Sequence, residues 1–180
     1  MLYVVGQLSG VTQLGDVVYV VCTRSSIIKT FTDTLSPLAD IHVEGMYNPT
    51  DIVVSRDDRQ LYLADWPCSI WRVLVDDQSS YVKWLTDDIF DSHSFRVDKL
   101  SVTSQSLLVT SSQYPPHLRE YSTTDKRLLR VVRMPRYVAE LYHGVKTTRG
   151  TFLICHHGAP LNRHAVSELF SCYNIKYYTP

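Results

Sequence analysis

The chain has 180 residues and no net formal charge, since 18 Lys and Arg balance 18 Asp and Glu, and 44% of its residues are hydrophobic. This composition excludes a disordered or fibrous chain and provides enough apolar surface for a substantial core. No apolar run approaches the roughly 20 residues that a transmembrane helix needs, and no basic segment followed by a long apolar run opens the sequence. We therefore expect no membrane association and, by default, a cytoplasmic location.

The apolar segments are short, rich in β-branched residues and separated by frequent turn residues. This pattern predicts strands throughout and few helices. The strands fall into four sets of four. The first set comprises 10–13, 17–22, 27–31 and 38–42, and the second comprises 51–54, 61–64, 69–75 and 81–85. The third comprises 99–102, 107–110, 117–121 and 128–132, and the fourth comprises 142–146, 151–155, 164–170 and 175–178.

Four valines mark the same place in successive sets and give the chain a repeat. They are separated by 43, 48 and 43 residues, in the order Val11, Val54, Val102 and Val145. A spacing of roughly 40 to 50 residues is typical of a β-propeller blade with four short strands. We therefore predict an all-β chain that forms a single β-propeller domain over residues 1–180, with about four blade units. The approximate blade bounds are 8–45, 46–88, 94–134 and 137–180.

The second set carries the most detailed pattern. Pro49 precedes its first strand, and Asp65 ends its second strand. Tyr62 and Arg72 each lie between apolar residues, in the second and third strands respectively. These residues resemble an NHL repeat, the unit of a family of six-bladed propellers. The other three sets keep the apolar spacing but lack an aspartate at the place of Asp65.

The resemblance implies a larger ring than four units can build. Rings of this family usually close when one blade takes strands from both chain ends, because an unclosed ring leaves strand edges without hydrogen-bond partners. We therefore predict an incomplete, open part of a six-bladed propeller, with the missing blades elsewhere. Two alternatives are an arc that self-associates through its exposed strand edges, and closure as a four-bladed ring.

The charge is unevenly distributed along the chain. Residues 1–95 contain 6 Lys and Arg against 13 Asp and Glu, a net charge of −7, whereas residues 96–180 contain 12 against 5, a net charge of +7. Such a polarity can orient a charged partner or let copies of the chain associate head to tail. The simpler interpretation is that these charges are solvated blade rims without further consequence.

Two connecting loops are the best candidates for a contact surface. Asp65, Trp66 and Pro67 follow the second strand of the second set, and Tyr114 and His117 flank a Pro-Pro pair in the third set. An aromatic side chain on a propeller rim is a common anchor for a protein or peptide partner. We therefore predict a non-catalytic platform for protein–protein interaction or scaffolding. For Trp66, packing between blades is an equally good explanation.

A basic stretch supports a different class of function. Five cations lie within eleven residues: Lys126, Arg127, Arg130, Arg133 and Arg136. Some NHL propellers bind RNA through a basic face that carries aromatic residues, so the resemblance makes nucleic-acid binding the alternative. The same stretch also reads as an ordinary outer strand whose arginine stems cover apolar surface.

An enzymatic role is the less favoured alternative. Four histidines crowd the fourth set, His143, His156, His157 and His164, and imidazole is a common zinc ligand. His156 and His157 would point to opposite faces of a strand, so the candidate ligands are His143, His156 and His164. They would suit a metal-dependent propeller hydrolase or lyase, but no acidic residue repeats at an inner-strand position. No nucleophile elbow, zinc-protease motif or phosphate loop is present. The prediction is a chain without catalytic residues, metal or cofactor.

Overall fold

A computed structural model describes residues 6–77, 79–86, 96–113, 115–136, 138–158, 163–169 and 175–178. Every strand predicted from the sequence is present, and these residues contain no helix, so the all-β prediction is confirmed. The described residues therefore include no helix that is long and apolar enough to cross a membrane.

The first eight strands are β1 (Leu8–Leu14), β2 (Val17–Cys22), β3 (Ile27–Thr32), β4 (Ile41–His42), β5 (Pro49–Ser55), β6 (Gln60–Asp65), β7 (Ser69–Leu74) and β8 (Tyr81–Leu85). The second eight are β9 (Lys99–Val102), β10 (Ser106–Ser111), β11 (His117–Ser122), β12 (Leu128–Arg133), β13 (Val138–Lys146), β14 (Phe152–Gly158), β15 (Arg163–Leu169) and β16 (Ile175–Tyr178).

The strands form four antiparallel sheets of four strands each, and every sheet is built from consecutive strands in chain order. The first sheet is β1 to β4, the second β5 to β8, the third β9 to β12 and the fourth β13 to β16. Four hairpin-linked strands per sheet is the connectivity of a propeller blade. The chain divides into two compact units, Met1–His93 with the first two sheets and Ser94–Pro180 with the last two.

In the first unit, one face of the first sheet packs on one face of the second. Tyr19, Val21 and Ile28 from the first sheet meet Leu63 and Val73 from the second in a fully buried cluster. Alternation along each strand places these side chains on the same face. Burying a large apolar side chain stabilises a fold by roughly 1.5 to 3 kcal/mol. The cluster between the first and second sheets is therefore the main stabilising contact of the unit.

The first strands of these two sheets approach each other closely at a glycine. A Cβ atom added to Gly10 on β1 would lie 2.8 Å from the backbone nitrogen of Ile52 and 3.1 Å from the carbonyl carbon of Asp51, both on β5. Those neighbours are backbone atoms, which cannot rotate away as a side chain can. The absence of a side chain at residue 10 therefore sets the distance between β1 and β5.

The second unit has an equivalent core between the third and fourth sheets. Leu108 and Leu118 pack against Leu141, Phe152 and Ile154. A glycine again permits the close packing, since a Cβ atom at residue 144 would lie 2.8 Å from a methyl carbon of the leucine on β11. Here the neighbour is the end of a side chain, which can rotate, so the restriction is weaker than the one at Gly10.

The four marker valines do not occupy one pairing position, which corrects the repeat alignment along the first strand of each sheet. Val11 lies opposite Val20, and Val145 lies opposite Leu153. Val54 pairs with residue 61, and Val102 pairs with residue 107. The hairpin turns differ in length, and β13 carries two register irregularities. Each bulge moves a side chain to the opposite face of the strand, which apolar spacing alone does not reveal.

Candidate functional site

The carboxylate of Asp65 holds together two loops at one end of the second sheet. It is buried at the end of β6 and lies directly opposite Pro49 in the pairing register. Its Oδ1 accepts a hydrogen bond from the backbone N–H of Asn48 at 2.6 Å, and the N–H of Tyr47 lies 3.2 Å from the same oxygen. Its Oδ2 accepts from the indole Nε1–H of Trp71 at 3.1 Å. Bonds to an ionised acceptor are stronger than neutral ones, so this carboxylate fixes the approach to β5.

The two loops are also joined through their backbones. The N–H of Trp66 donates to the carbonyl oxygen of Asn48 at 3.0 Å. The Asn48 side-chain oxygen in turn accepts from the N–H of Arg24, in the turn after β2, at 3.1 Å. Three loops of the first unit are therefore tied together at this place.

Two aromatic side chains extend to solvent from these tied loops. Tyr47 is 66% exposed and Trp66 is 45% exposed, and Pro67 beside it is also exposed. We call Tyr47, Trp66 and Pro67 the aromatic rim. Exposed aromatic residues whose backbones are already fixed lose little conformational entropy on binding, which makes them efficient contact residues.

The other two tryptophans are core residues. Trp71 is buried and donates to Asp65, and Trp84 is buried with its ring edge-on to Tyr62 at 5.1 Å between centroids. Of the three tryptophans in the chain, only Trp66 is exposed. Asp65 lies behind the surface, so it acts on the rim by positioning it.

The second predicted contact loop is only partly described. Tyr114 lies outside the described residues. His117 is half-buried at the start of β11, with its Nδ1 2.9 Å from the carbonyl oxygen of Pro115. Burial lowers the pKa of His117, although the hydrogen bond to Pro115 opposes the change. The protonated form of His117 is therefore less favourable than that of a solvent-exposed histidine.

An aspartate that the sequence analysis missed plays the corresponding part in the third sheet. Asp98, just before β9, accepts hydrogen bonds from the backbone N–H and the hydroxyl of Ser112, just after β10, both at 2.7 Å. It joins the beginning of the first strand to the end of the second, as Asp65 does in the second sheet. Asp65 ends the second strand of its sheet, whereas Asp98 precedes the first strand of the third sheet. The third sheet therefore has no aspartate at the position that corresponds to Asp65.

The basic stretch is distributed between a turn, a strand and the segment beyond it. Lys126 and Arg127 lie in the exposed turn before β12, and Arg127 is 3.8 Å from Asp125. Arg133 ends β12, and Arg136 lies in the following segment; both are exposed. Arg130 differs, because its guanidinium pairs with a buried carboxylate.

That carboxylate belongs to Glu120, which the sequence analysis did not identify. It is buried on β11, with Arg130 of β12 at 2.7 Å and Lys146 of β13 at 2.6 Å. The hydroxyl of Ser106 donates to it at 2.7 Å. Burial raises the pKa of Glu120, but the hydrogen bonds from Lys146 and Ser106 and the two cations outweigh it, so the pKa lies below its ordinary value. The group joins the third sheet to the fourth.

Among the side chains that the structure describes, the candidate metal ligands do not form a cluster. His156 is buried on β14, its Nε2 is 2.9 Å from the hydroxyl of Ser167, and burial lowers its pKa. His143 is half-buried on β13 opposite Cys155. His164 lies on β15, and its side chain is outside the described residues. Within the described ranges, no three His, Cys, Asp or Glu side chains are placed to hold a metal ion.

Comparison with known proteins places the chain among propeller-type structures. No protein-family model and no curated protein matches its sequence. Similar solved structures include hydrazine synthase from Kuenenia stuttgartiensis, with 12% identity, a TM-score of 0.71, and coverage of 95% of this chain and 53% of that one. Virginiamycin B lyase from Staphylococcus aureus has 9% identity, a TM-score of 0.70, and coverage of 97% and 56%.

A structure of the nidogen/laminin complex is similar to the same extent, with 14% identity, a TM-score of 0.70, and coverage of 94% of this chain and 64% of that one. The fold is thus a β-propeller with four-stranded blades, as predicted. The chain spans about half of the first structures that it matches. At these identities the likeness concerns the fold, and function has to be argued from the residues.

Proposed function

We propose that this chain is a non-catalytic binding platform, and that the aromatic rim takes a protein or peptide partner. The proposal rests above all on the exposure of Tyr47 and Trp66 from loops that are tied by the buried carboxylate of Asp65. Pro49, Tyr62, Asp65 and Arg72 support an NHL-type repeat as the unit that presents them. The chemistry of the rim suits a partner with an apolar or aromatic side chain flanked by hydrogen-bonding groups.

The general fold is compatible with this role. One structural neighbour, by its description, is a complex of nidogen with laminin, so propellers of this type occur in protein complexes. Another is a lyase, so the fold by itself does not decide the class. A rim with a single exposed tryptophan and no cluster of potential metal ligands among the described residues favours binding.

A random peptide library displayed on phage would test this role directly. Peptides selected on the immobilised wild-type chain are expected to lose at least about tenfold in affinity for Trp66→Ala, because a central aromatic anchor commonly contributes about 2 kcal/mol or more. Leu35→Ala removes a comparably exposed apolar side chain from a different loop and is the matched control. Equal binding by wild type and Trp66→Ala would rule out the rim.

Fluorescence provides a second measurement on the same interaction. Since Trp71 and Trp84 are buried, acrylamide quenching of the folded chain reports mainly on Trp66. A bound peptide should protect this residue from quenching. If selected peptides bind but leave the quenching unchanged, they bind elsewhere on the molecule.

Nucleic-acid binding remains the second candidate, on the observation that Lys126, Arg127, Arg133 and Arg136 are all exposed. Phosphate contacts release counterions, so affinity for a single-stranded RNA would fall steeply with salt and with charge reversal at Arg133 and Arg136. A flat salt dependence would eliminate this function. An enzyme of the metal-dependent type would instead retain stoichiometric metal, which elemental analysis of the purified chain detects.

A further inference from the structure

The first sheet has an apolar face that the second sheet does not cover. Val11 on β1 is 58% exposed, and its cross-strand partner Val20 and the nearby Phe31 are partly exposed. Tyr19 and Val21 lie on the opposite face and are completely buried against the second sheet. The exposed face also carries Lys29, which lies opposite Val20 in the register, so this face is less uniformly apolar than the buried one.

The fourth sheet has a face of the same kind. Val145 on β13 is 39% exposed, Val166 on β15 is 41% exposed, and Leu153 between them on β14 is partly exposed. The opposite face of β14 presents Phe152 and Ile154, which are buried against the third sheet. Glu168 lies opposite Leu153 in the register, so a charged position borders these apolar residues. An exposed apolar patch rimmed by polar residues is a common sign of a contact with another surface.

The charges of the two units are complementary. Residues 1–93 carry 6 Lys and Arg against 13 Asp and Glu, and residues 94–180 carry 12 against 5, so the units have net charges of −7 and +7. The boundary between charges therefore coincides with the boundary between compact units. Two copies of the chain attract each other when the first unit of one meets the second unit of the other, and they repel in the like-to-like arrangement.

We propose that a second copy of this chain covers both faces, with the first-sheet face of each copy packed on the fourth-sheet face of the other. Two copies related by a twofold axis make this contact twice, because the first-sheet face of each copy meets the fourth-sheet face of the other, which leaves neither face open. The product is a closed dimer. This inference is independent of the function proposed for the aromatic rim.

Light scattering coupled to size-exclusion chromatography should show a dimer at about 50 μM, a concentration at which a modest interface is populated. Val11→Glu and Val166→Glu, each on one exposed face, should each give monomers, because either change disrupts both contacts of the dimer. Leu35→Glu adds the same charge to an exposed loop and should leave the dimer intact. Far-UV circular dichroism verifies that each variant keeps its β structure.

Mixing the two monomeric variants distinguishes the proposed contact between different faces from a contact between two copies of the same face. A heterodimer of Val11→Glu with Val166→Glu contains one doubly altered contact and one wild-type contact, so association should be partly restored. A contact between two copies of the same face cannot be rescued in this way. Raising salt from about 0.05 M to about 0.5 M, which shortens the screening length to a few ångströms, should raise the dissociation constant at least about tenfold.

Several results would overturn the proposal. A wild-type monomer at this concentration would assign the two faces to further blades of a longer protein. A dimer unaffected by both Val11→Glu and Val166→Glu would place the contact elsewhere, and a dimer that is lost in one variant but kept in the other would indicate a like-to-like interface. Open-ended polymers in place of a dimer would exclude the closed arrangement.

Discussion

Asp65 shows how one side chain can control a surface to which it does not itself belong. Its two oxygens accept hydrogen bonds from the backbone N–H groups of Tyr47 and Asn48 and from the indole N–H of Trp71. Removing the carboxylate leaves buried donors without an acceptor, which costs more than the bonds themselves contribute. The rim residues would then be free to move even though none of them is changed.

We expect Asp65→Ala to lower the free energy of unfolding of the first unit by about 3 kcal/mol, and Asp65→Asn to lower it by roughly half as much, since the amide keeps one acceptor oxygen. All three tryptophans lie in this unit, so urea unfolding followed by tryptophan fluorescence measures it selectively. Rim binding should weaken in the same order. A change below about 0.5 kcal/mol for the alanine variant would contradict the assigned role.

The distance between neighbouring sheets depends on close backbone contacts, and the contact at Gly10 is the clearest example. Alanine at this residue would bring a methyl group against the backbone of Ile52 and Asp51, so β1 would have to move away from β5. We expect Gly10→Ala to destabilise the first unit by about 1 to 3 kcal/mol, the usual range for overpacking. Gln13→Ala, an exposed site on the same strand, is the control for urea unfolding; equal stability of the two variants would exclude the close approach.

Glu120 makes the contact between the third and fourth sheets dependent on pH. Its pKa in the folded chain lies below the ordinary value of 4.5, so the unfolded chain binds its proton first as the pH falls. The stabilisation is therefore complete above about pH 4.5 and is lost as the pH falls through the lower, folded pKa. Acid should weaken the second unit through this residue.

We expect Glu120→Gln to destabilise the second unit by roughly 3 kcal/mol at pH 7, because Arg130 and Lys146 lose their shared partner. The difference from wild type should shrink steadily below pH 4.5. Hydrogen exchange of the β11 amides at pH 7 and pH 4 measures both effects. A difference that is independent of pH would show that the ionised form of Glu120 contributes nothing special.

At the scale of the whole molecule, the sequence was sufficient to predict the strands and blades but not the pairing register or the polar contacts between strands and sheets. Short β-branched segments and a spacing of about 45 residues predicted the strands and blades. Pairing register was not predictable, since the bulges in β13 leave Val145 facing away from the third sheet. Glu120 and Asp98 were missed because their partners are distant in sequence, and a lone acidic residue carries no signal of its burial. The rim was found in part: Trp66 was chosen, whereas Tyr47 gave no local pattern.

Each sheet uses one uninterrupted stretch of polypeptide, and this order affects how the chain is made. A ribosome that has released His42 has already released every strand whose hydrogen bonds the first sheet requires. Sheet formation can therefore follow synthesis from the N-terminus, and no strand has to wait for a partner translated much later. Short delays between neighbouring strands also limit the time during which a nascent edge can capture a strand from another chain.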